Sequence, residues 1–197
     1  MNPDGFVITQ TTDRLHRKNA QRYGNCTGVD INRNWDFHWN EGGSSDDPCE
    51  DDYRGPAAFS TPEAKNVGEH LNETPNVVCY IDFHAYSQLW LTPYAFIDTP
   101  PANYETYLKP LAQGAAAATE EVNGIKFKAG DASRTIYQVS GISIDYAYSV
   151  GVGAPLVAEL RDDGQYGFLL PADQILESGL ETWAAFMYIL DHLETTL

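Results

Sequence analysis

The chain has 197 residues, 43% of them hydrophobic and 20% charged, which suits one soluble globular domain with its own core. Its 12 Lys and Arg against 28 Asp and Glu leave a net charge of −16, which argues against a nucleic-acid partner, because phosphate binding needs a basic face. The wholly apolar run near the end, 183–190, falls far short of the ~20 residues of a membrane span.

Residues 1–58 show little periodicity and many turn formers. They read as loops with short elements, opening on the polar turn Asn2-Pro3-Asp4-Gly5 rather than on a secretory leader. The segment 41–52 carries six acids and no base. Those acids lack the ordered spacing of a calcium loop, so the segment reads as solvated. Cys26 and Cys49 bracket a polar loop, and Cys79 sits in the apolar run 77–81. Spacing alone leaves open either a Cys26–Cys49 disulfide with one buried thiol or three free thiols. Asn25-Cys26-Thr27 and Asn72-Glu73-Thr74 have the form of glycosylation acceptors, which points toward secretion.

Ser60-Thr61-Pro62-Glu63 is a helix start with a hydroxyl cap, proline in the first turn and an acid after it. The helix should reach about Leu71, and Pro75 stops it. Residues 77–83 read as a short buried strand ending at His84, and a second strand is expected near 88–92. An alanine-rich helix lies within 101–122 and ends at Asn123-Gly124. Residues 154–160 form another buried strand and deliver Glu159 at its end. Pro171 opens the last helix, whose stripe Leu176, Leu180, Trp183, Met187 and Leu190 is expected to pack into the core. Strands alternating with helices argue for an α/β fold in a single domain.

Three places carry polar groups that an apolar core does not tolerate without a reason. His84 stands at a strand end, as a structural residue or a metal ligand. Glu159 closes an apolar strand and needs a compensating partner or a chemical role. Arg161 is close in sequence but is expected on the opposite face, so the alternatives are an ion pair with another base or a general base. Asp30-Ile31-Asn32-Arg33-Asn34-Trp35-Asp36 sets polar residues around one arginine. It reads either as a carboxylate-recognition loop or as a turn stitched by Asn and Asp side chains.

In order and spacing these segments resemble the zinc metallocarboxypeptidases of the carboxypeptidase A type. The likeness runs through Asn2-Pro3-Asp4-Gly5-Phe6, Arg14-Leu15-His16-Arg17-Lys18 and the segment 29–36. It continues in His84-Ala85-Tyr86-Ser87-Gln88, Ile136-Tyr137-Gln138, Ser143-Ile144-Asp145, Glu159-Leu160-Arg161-Asp162 and Tyr166-Gly167-Phe168-Leu169-Leu170-Pro171. The resemblance implies a mixed β-sheet flanked by helices, with 1–197 as an incomplete catalytic domain. It implies one zinc ion in the complete enzyme, with His84 as a ligand. Glu159 takes a proton from water and Arg17 stabilises the oxyanion. Asn32 and Arg33 clamp the substrate's terminal carboxylate, Tyr137 closes over it, and Tyr86 and Phe168 line neighbouring subsites. Cys26 and Cys49 match the family's disulfide. The implied partners are peptide or protein C-termini, met by a secreted enzyme that is monomeric when complete.

The family's other two zinc ligands lie in a His-x-x-Glu motif upstream of the Asn-Pro-Asp-Gly turn, so this chain alone is expected to be inactive. Loss of the upstream strands is also expected to leave sheet edges and apolar faces uncovered. The strings His38-Trp39-Asn40-Glu41 and His70-Leu71-Asn72-Glu73 lack the family's flanking residues and read as coincidence. His16 stands where tryptophan is usual beside the oxyanion arginine. Ile144 matches the floor of the pocket for the substrate's last side chain. With Leu91, Ala95 and Val157 it implies apolar or aromatic terminal residues, and Ile142 replaces a common glycine and narrows the pocket. The alternative is a metal-free module that keeps the clamp and binds peptide C-termini.

Overall fold

The computed structural model describes residues 1–194. Against the expectation of loops, the chain opens with helix α1 (Pro3–Thr11), capped by the Asn2 side chain, which accepts from the Gly5 N–H at 3.0 Å. The cap and Pro3 were visible in the sequence, but α1 has no apolar stripe to announce it. A two-residue hairpin follows, β1 (Arg22–Tyr23) and β2 (Cys26–Thr27). Cys26 is joined to Cys49, with their Cα atoms 5.1 Å apart. Inside this region the buried Lys18 donates to the carbonyls of Pro48 and Glu50, each at 2.8 Å, and so ties down the acidic loop.

Helix α2 (Pro62–Glu73) starts where its cap signals place it, with Thr61 Oγ1 accepting from Ala64 N–H at 3.3 Å, and runs two residues past the expected end. The mixed sheet comprises β3 (Cys79–Ala85), β4 (Leu89–Thr92), β5 (Lys128–Asp131) and β6 (Ala154–Leu160), in the order β3-β6-β4-β5. β3 runs parallel to β6 and β5 parallel to β4, while β4 and β6 are antiparallel. β3 begins and ends two residues later than expected, so His84 lies inside the strand. Nor is it a buried strand: it forms the sheet edge, and Phe83 is 51% exposed.

Alternation along β6 divides the molecule. Ala154, Leu156 and Ala158 face α3 (Lys109–Asn123) and α6 (Ile175–Glu194), where Leu111, Ala112, Ala115, Ala185 and Ile189 complete one core. Val157 and Glu159 face the other way, toward Leu91, Ala95, Ile142 and Ile144. α3 and α6 approach closely because α3 presents small residues. A Cβ on Gly114 would lie 2.0 Å from the Tyr188 ring of α6. Gly124 ends α3 in the left-handed conformation at φ 73°, which suits glycine. A short helix α4 (Ala132–Thr135) follows β5, and α5 (Ser143–Ser149) leads back toward β6.

The last helix corrects the sequence reading in two ways. Pro171 introduces a 3₁₀ turn, Ala172–Gln174, before α6 begins at Ile175. Four of the five residues of the expected core stripe also point outward: Leu176 is 72% and Trp183 59% exposed, with Leu180 and Met187 exposed as well, while Leu190 is half-buried. The face that packs is Glu181, Ala185, Ile189 and Leu193. Both faces of α6 are apolar, so periodicity alone does not choose between them. The flatter Ala185 side fits beneath α3.

Candidate functional site

The register of β3 against β6 pairs His84 with Glu159, and both line a cleft of about 270 Å³. Arg17, Asn32, Arg33, Tyr86, Tyr137 and Phe168 line it too. Residues spread over 150 positions of sequence therefore meet at one end of the sheet.

The loop from Asp30 to Asp36 is stitched by Asp and Asn side chains. Asp30 Oδ1 accepts from Asn32 N–H at 3.0 Å and starts the 3₁₀ turn Ile31–Arg33. Asn34 Nδ2 donates to the carbonyls of Arg54 and Ala57, and its Oδ1 accepts from Thr61 N–H. With the backbone stitched in this way, Asn32 and Arg33 face the cleft. Arg33 is only 6% exposed. It donates through Nη1 to Asn32 O at 2.8 Å and through Nη2 to Tyr137 Oη at 3.1 Å, while its Nε is buried without a partner. Among the described residues no carboxylate forms an ion pair with Arg33. Leaving a buried cation with an unused donor and no counter-charge is costly, and an anion would relieve that cost. Tyr137 is half exposed and stands over the guanidinium, with its ring centroid 6.0 Å away.

Arg17 donates from Nε to Asp30 Oδ2 at 2.7 Å. Burial by itself lowers the Arg17 pKa, but Asp30, with smaller help from Tyr137 and Glu159, more than offsets this and raises it. His16 does not reach the guanidinium; its Nε2 lies 3.1 Å from Asn19 O.

Glu159 has no hydrogen-bond or ion-pair partner among the described residues. Burial pushes its pKa up, and the positive charges of His84 and Arg17 offset this only in part. Arg161 does turn away, though not by strand alternation, since residues two apart share a face. The strand ends at Leu160, and Arg161 swings to α6. There it donates to Glu181 Oε2 at 2.8 Å, to Glu181 Oε1, to Glu177 at 2.8 Å and to Gln174 at 3.1 Å. Next to it, Asp162 accepts from the N–H groups of Gly164, Tyr166 and Gly167. This shapes the turn that sets Phe168 edge-to-face against Tyr86, with centroids 4.9 Å apart.

His84 Nε2 lies 3.0 Å from Asp82 Oδ2 and 3.2 Å from Asn32 Nδ2. Burial lowers the His84 pKa, but Asp82 by charge and hydrogen bond, with Glu159, raises it overall. Sequence reasoning passed over Asp82. Its signal was an acid two residues before His84 on an apolar strand, which alternation puts on the same face.

The structure does not bring Ile144 to the cleft wall. It is fully buried behind Ile142, which lines the cleft with Leu91, Ala95, Val139 and Val157. Asp145 is also buried and off the wall. It accepts from the N–H groups of Ala95 and Phe96, and burial pushes its pKa to about 7. Neither His-x-x-Glu string lines the cleft. His38 pairs with Glu41 at 2.6 Å in the loop, and His70 lies in the last turn of α2 beside Thr74.

Catalytic zinc needs three protein donors. Among the described residues no group of three His, Cys, Asp or Glu is placed to hold a metal. His84, backed by a carboxylate, has the character of one such donor.

A family model described as zinc carboxypeptidase matches residues 1–185. Carboxypeptidase B of Astacus astacus is 42% identical over the whole chain, which spans 66% of that protein. Carboxypeptidase A2 of Rattus norvegicus is 43% identical over 98% of the chain, which spans 46% of its length. Among solved structures, bovine thrombin-activatable fibrinolysis inhibitor in complex with tick carboxypeptidase inhibitor superposes with a TM-score of 0.95 at 33% identity, covering all of this chain and 68% of that one. Carboxypeptidase A of Helicoverpa armigera gives 0.89 at 31% identity, over 98% of this chain and 49% of its own.

Proposed function

Since the chain belongs to the zinc carboxypeptidase family, we propose that it supplies the substrate clamp and general base of a secreted exopeptidase that releases C-terminal apolar or aromatic residues. The observation that carries this is Arg33, a buried cation with a free Nε and no counter-ion among the described residues. Its planar fork matches a carboxylate, and a chain end at the closed end of the cleft would supply one. Asn32 and Tyr137 flank that fork and complete the clamp. Glu159, unpaired and raised in pKa, takes the proton of the attacking water. Arg17, oriented by Asp30, receives the negative charge that develops on the scissile carbonyl oxygen. His84 would hold zinc together with ligands from outside this chain. Zinc, when bound, supplies Lewis-acid polarisation and acidifies water.

The cleft wall of Leu91, Ala95, Val139, Ile142 and Val157 offers no charge to a terminal Lys or Arg. Burying such a cation unpaired is costly, so Phe and Leu are preferred. Ile142, not Ile144, sets the depth, which disfavours Trp. The exposed Asn25 and Asn72 are the glycosylation positions, and the complete protein acts as a monomer.

A second reading, a metal-free module that binds peptide C-termini, is favoured by one observation: among the described residues His84 is the only histidine that lines the cleft. The coding sequence upstream of Met1 separates the two, because an in-frame His-x-x-Glu segment belongs only to the enzyme. The polypeptide completed with that segment should hydrolyse peptides ending in Phe or Leu faster than those ending in Lys or Arg, and lose activity to a chelator. Faster release of Lys or Arg overturns the specificity; chelator-resistant inactivity on all peptides favours the binding module.

A further inference from the structure

The geometry points to Asp145 as a positioning residue of the cleft: through the backbone of Ala95 and Phe96 it holds the segment that carries Tyr137 and the wall residue Val139. Asp145 stands in the first turn of α5 and is fully buried. Its Oδ2 accepts from the N–H groups of Ala95 at 3.0 Å and Phe96 at 3.1 Å, and its Oδ1 from Ala95 N–H at 3.1 Å. The carbonyls of the same two residues are taken by another segment. Ala95 O accepts from Val139 N–H at 2.9 Å, and Phe96 O from the Gln138 side-chain amide at 2.5 Å. All four backbone polar groups of Ala95 and Phe96 are therefore used. The two donors go to Asp145, and the two acceptors serve the residues that directly follow Tyr137.

Among the described residues Asp145 forms no ion pair. A buried carboxylate without a counter-ion is costly, and a neutral acceptor would satisfy an N–H group without that cost. What the charge adds is polarisation. The Phe96 N–H and the Ala95 carbonyl belong to one peptide group. A carboxylate on that N–H makes the carbonyl a stronger acceptor for Val139. The chain of bonds thus runs from Asp145 through one peptide to Val139. Two residues earlier, Tyr137 Oη accepts from Arg33 Nη2 at 3.1 Å. Ala95 and Val139 both line the cleft. One side chain behind the wall therefore fixes two wall residues relative to each other and seats Tyr137 over Arg33. That the wall and Tyr137 meet a substrate rests on the function proposed above; the coupling of Asp145 to residues 138–139 does not.

The test is amide hydrogen exchange of this chain, read by mass spectrometry on fragments covering 94–97 and 137–141, with fragments of α3 and α6 as the reference. Asp145→Asn keeps the shape, removes the charge and turns one acceptor into a donor. Both cleft fragments should then exchange faster together, by roughly tenfold or more, the scale of one hydrogen bond to a charged group. The α3 and α6 fragments should keep their wild-type rates. Ala147→Gly loosens α5 without touching the carboxylate and should leave 137–141 unchanged. Acceleration confined to 94–97, acceleration equal along the whole chain, or the same response in Ala147→Gly overturns the inference. If Asp145→Asn does not fold, Gln138→Ala, at an exposed position, tests the coupling from the other end. It should speed exchange of 94–97 by about threefold, as befits a neutral hydrogen bond, and an unchanged rate there overturns the inference. Neither activity nor zinc uptake is read, so a cleft that never meets a peptide sinks the proposed function and not this inference.

Discussion

The cleft and the outer surface of α6 are finished to different degrees. In the cleft nearly every polar group is assigned. Asp30 serves both a turn and Arg17, Asn34 stitches the backbone, and Asp82 and Ser143 hold the His84–Asn32 pair. The groups left unpaired, Arg33 Nε and Glu159, are the ones proposed to meet substrate and water. On the far side, β3 is an uncovered edge, and Phe83, Leu176, Leu180 and Trp183 lie open. Unsatisfied polar groups mark the first region and unsatisfied apolar area the second. The lesson is that a residue's type is not enough; what it lacks in its surroundings shows what the region is for.

Substitutions sharpen that contrast. The largest effect is expected at Glu159: Glu159→Gln keeps the shape and removes the base, and should lower kcat of the completed polypeptide by ~10²–10⁴ with little change in its melting temperature. A rate within tenfold of wild type would remove Glu159 from the mechanism. On the opposite face of the sheet the largest effect is on stability. Arg161→Met strands the buried Glu181 carboxylate, which should cost about 3–5 kcal/mol in denaturant titration.

The two faces of α6 give a matched pair. Ile189→Ala opens a void in the packed face and should cost about 2–5 kcal/mol. Trp183→Ser, on the outer face, should change stability by no more than ~0.5 kcal/mol while reducing binding of a hydrophobic dye. Equal destabilisation by both would mean that the outer face is packed in solution.

The smallest effect concerns pH. Burial raises the pKa of Glu159 and Arg17 opposes it, so the base is ionised, and the rate high, only above the raised value. Arg17→Met removes the opposing charge, and the acid limb of the kcat/KM profile should move to higher pH. A shift to lower pH would contradict the assignment.

Much of this was legible in the sequence, and the reasons differ by residue. The start of α2 at Pro62 and the end of α3 at Gly124 followed from local chemistry, which tertiary structure did not override. β6, with Glu159 near its end, followed from an apolar run. The face of α6 did not follow, because Ala185 and Ile189 compete with Leu180 and Trp183, and the choice depends on how close α3 comes. α1 was missed because its cap was not backed by an apolar stripe. Asp82 was missed because its second partner, Ser143, comes from a distant segment. Ile144 was placed by resemblance at the pocket floor, while Ile142 in front of it takes the wall.

The central claim is that Arg33 makes this cleft a reader of chain ends. It is tested most directly by kcat/KM of the completed polypeptide on one peptide with a free C-terminal carboxylate and on the same peptide amidated, for wild type and Arg33→Met. The free carboxylate should be favoured by roughly 10²-fold or more in the wild type, equivalent to ~3 kcal/mol for a buried charge-assisted pair, and the preference should collapse in Arg33→Met. Equal hydrolysis of both peptides by the wild type, or an undiminished preference in Arg33→Met, would contradict it.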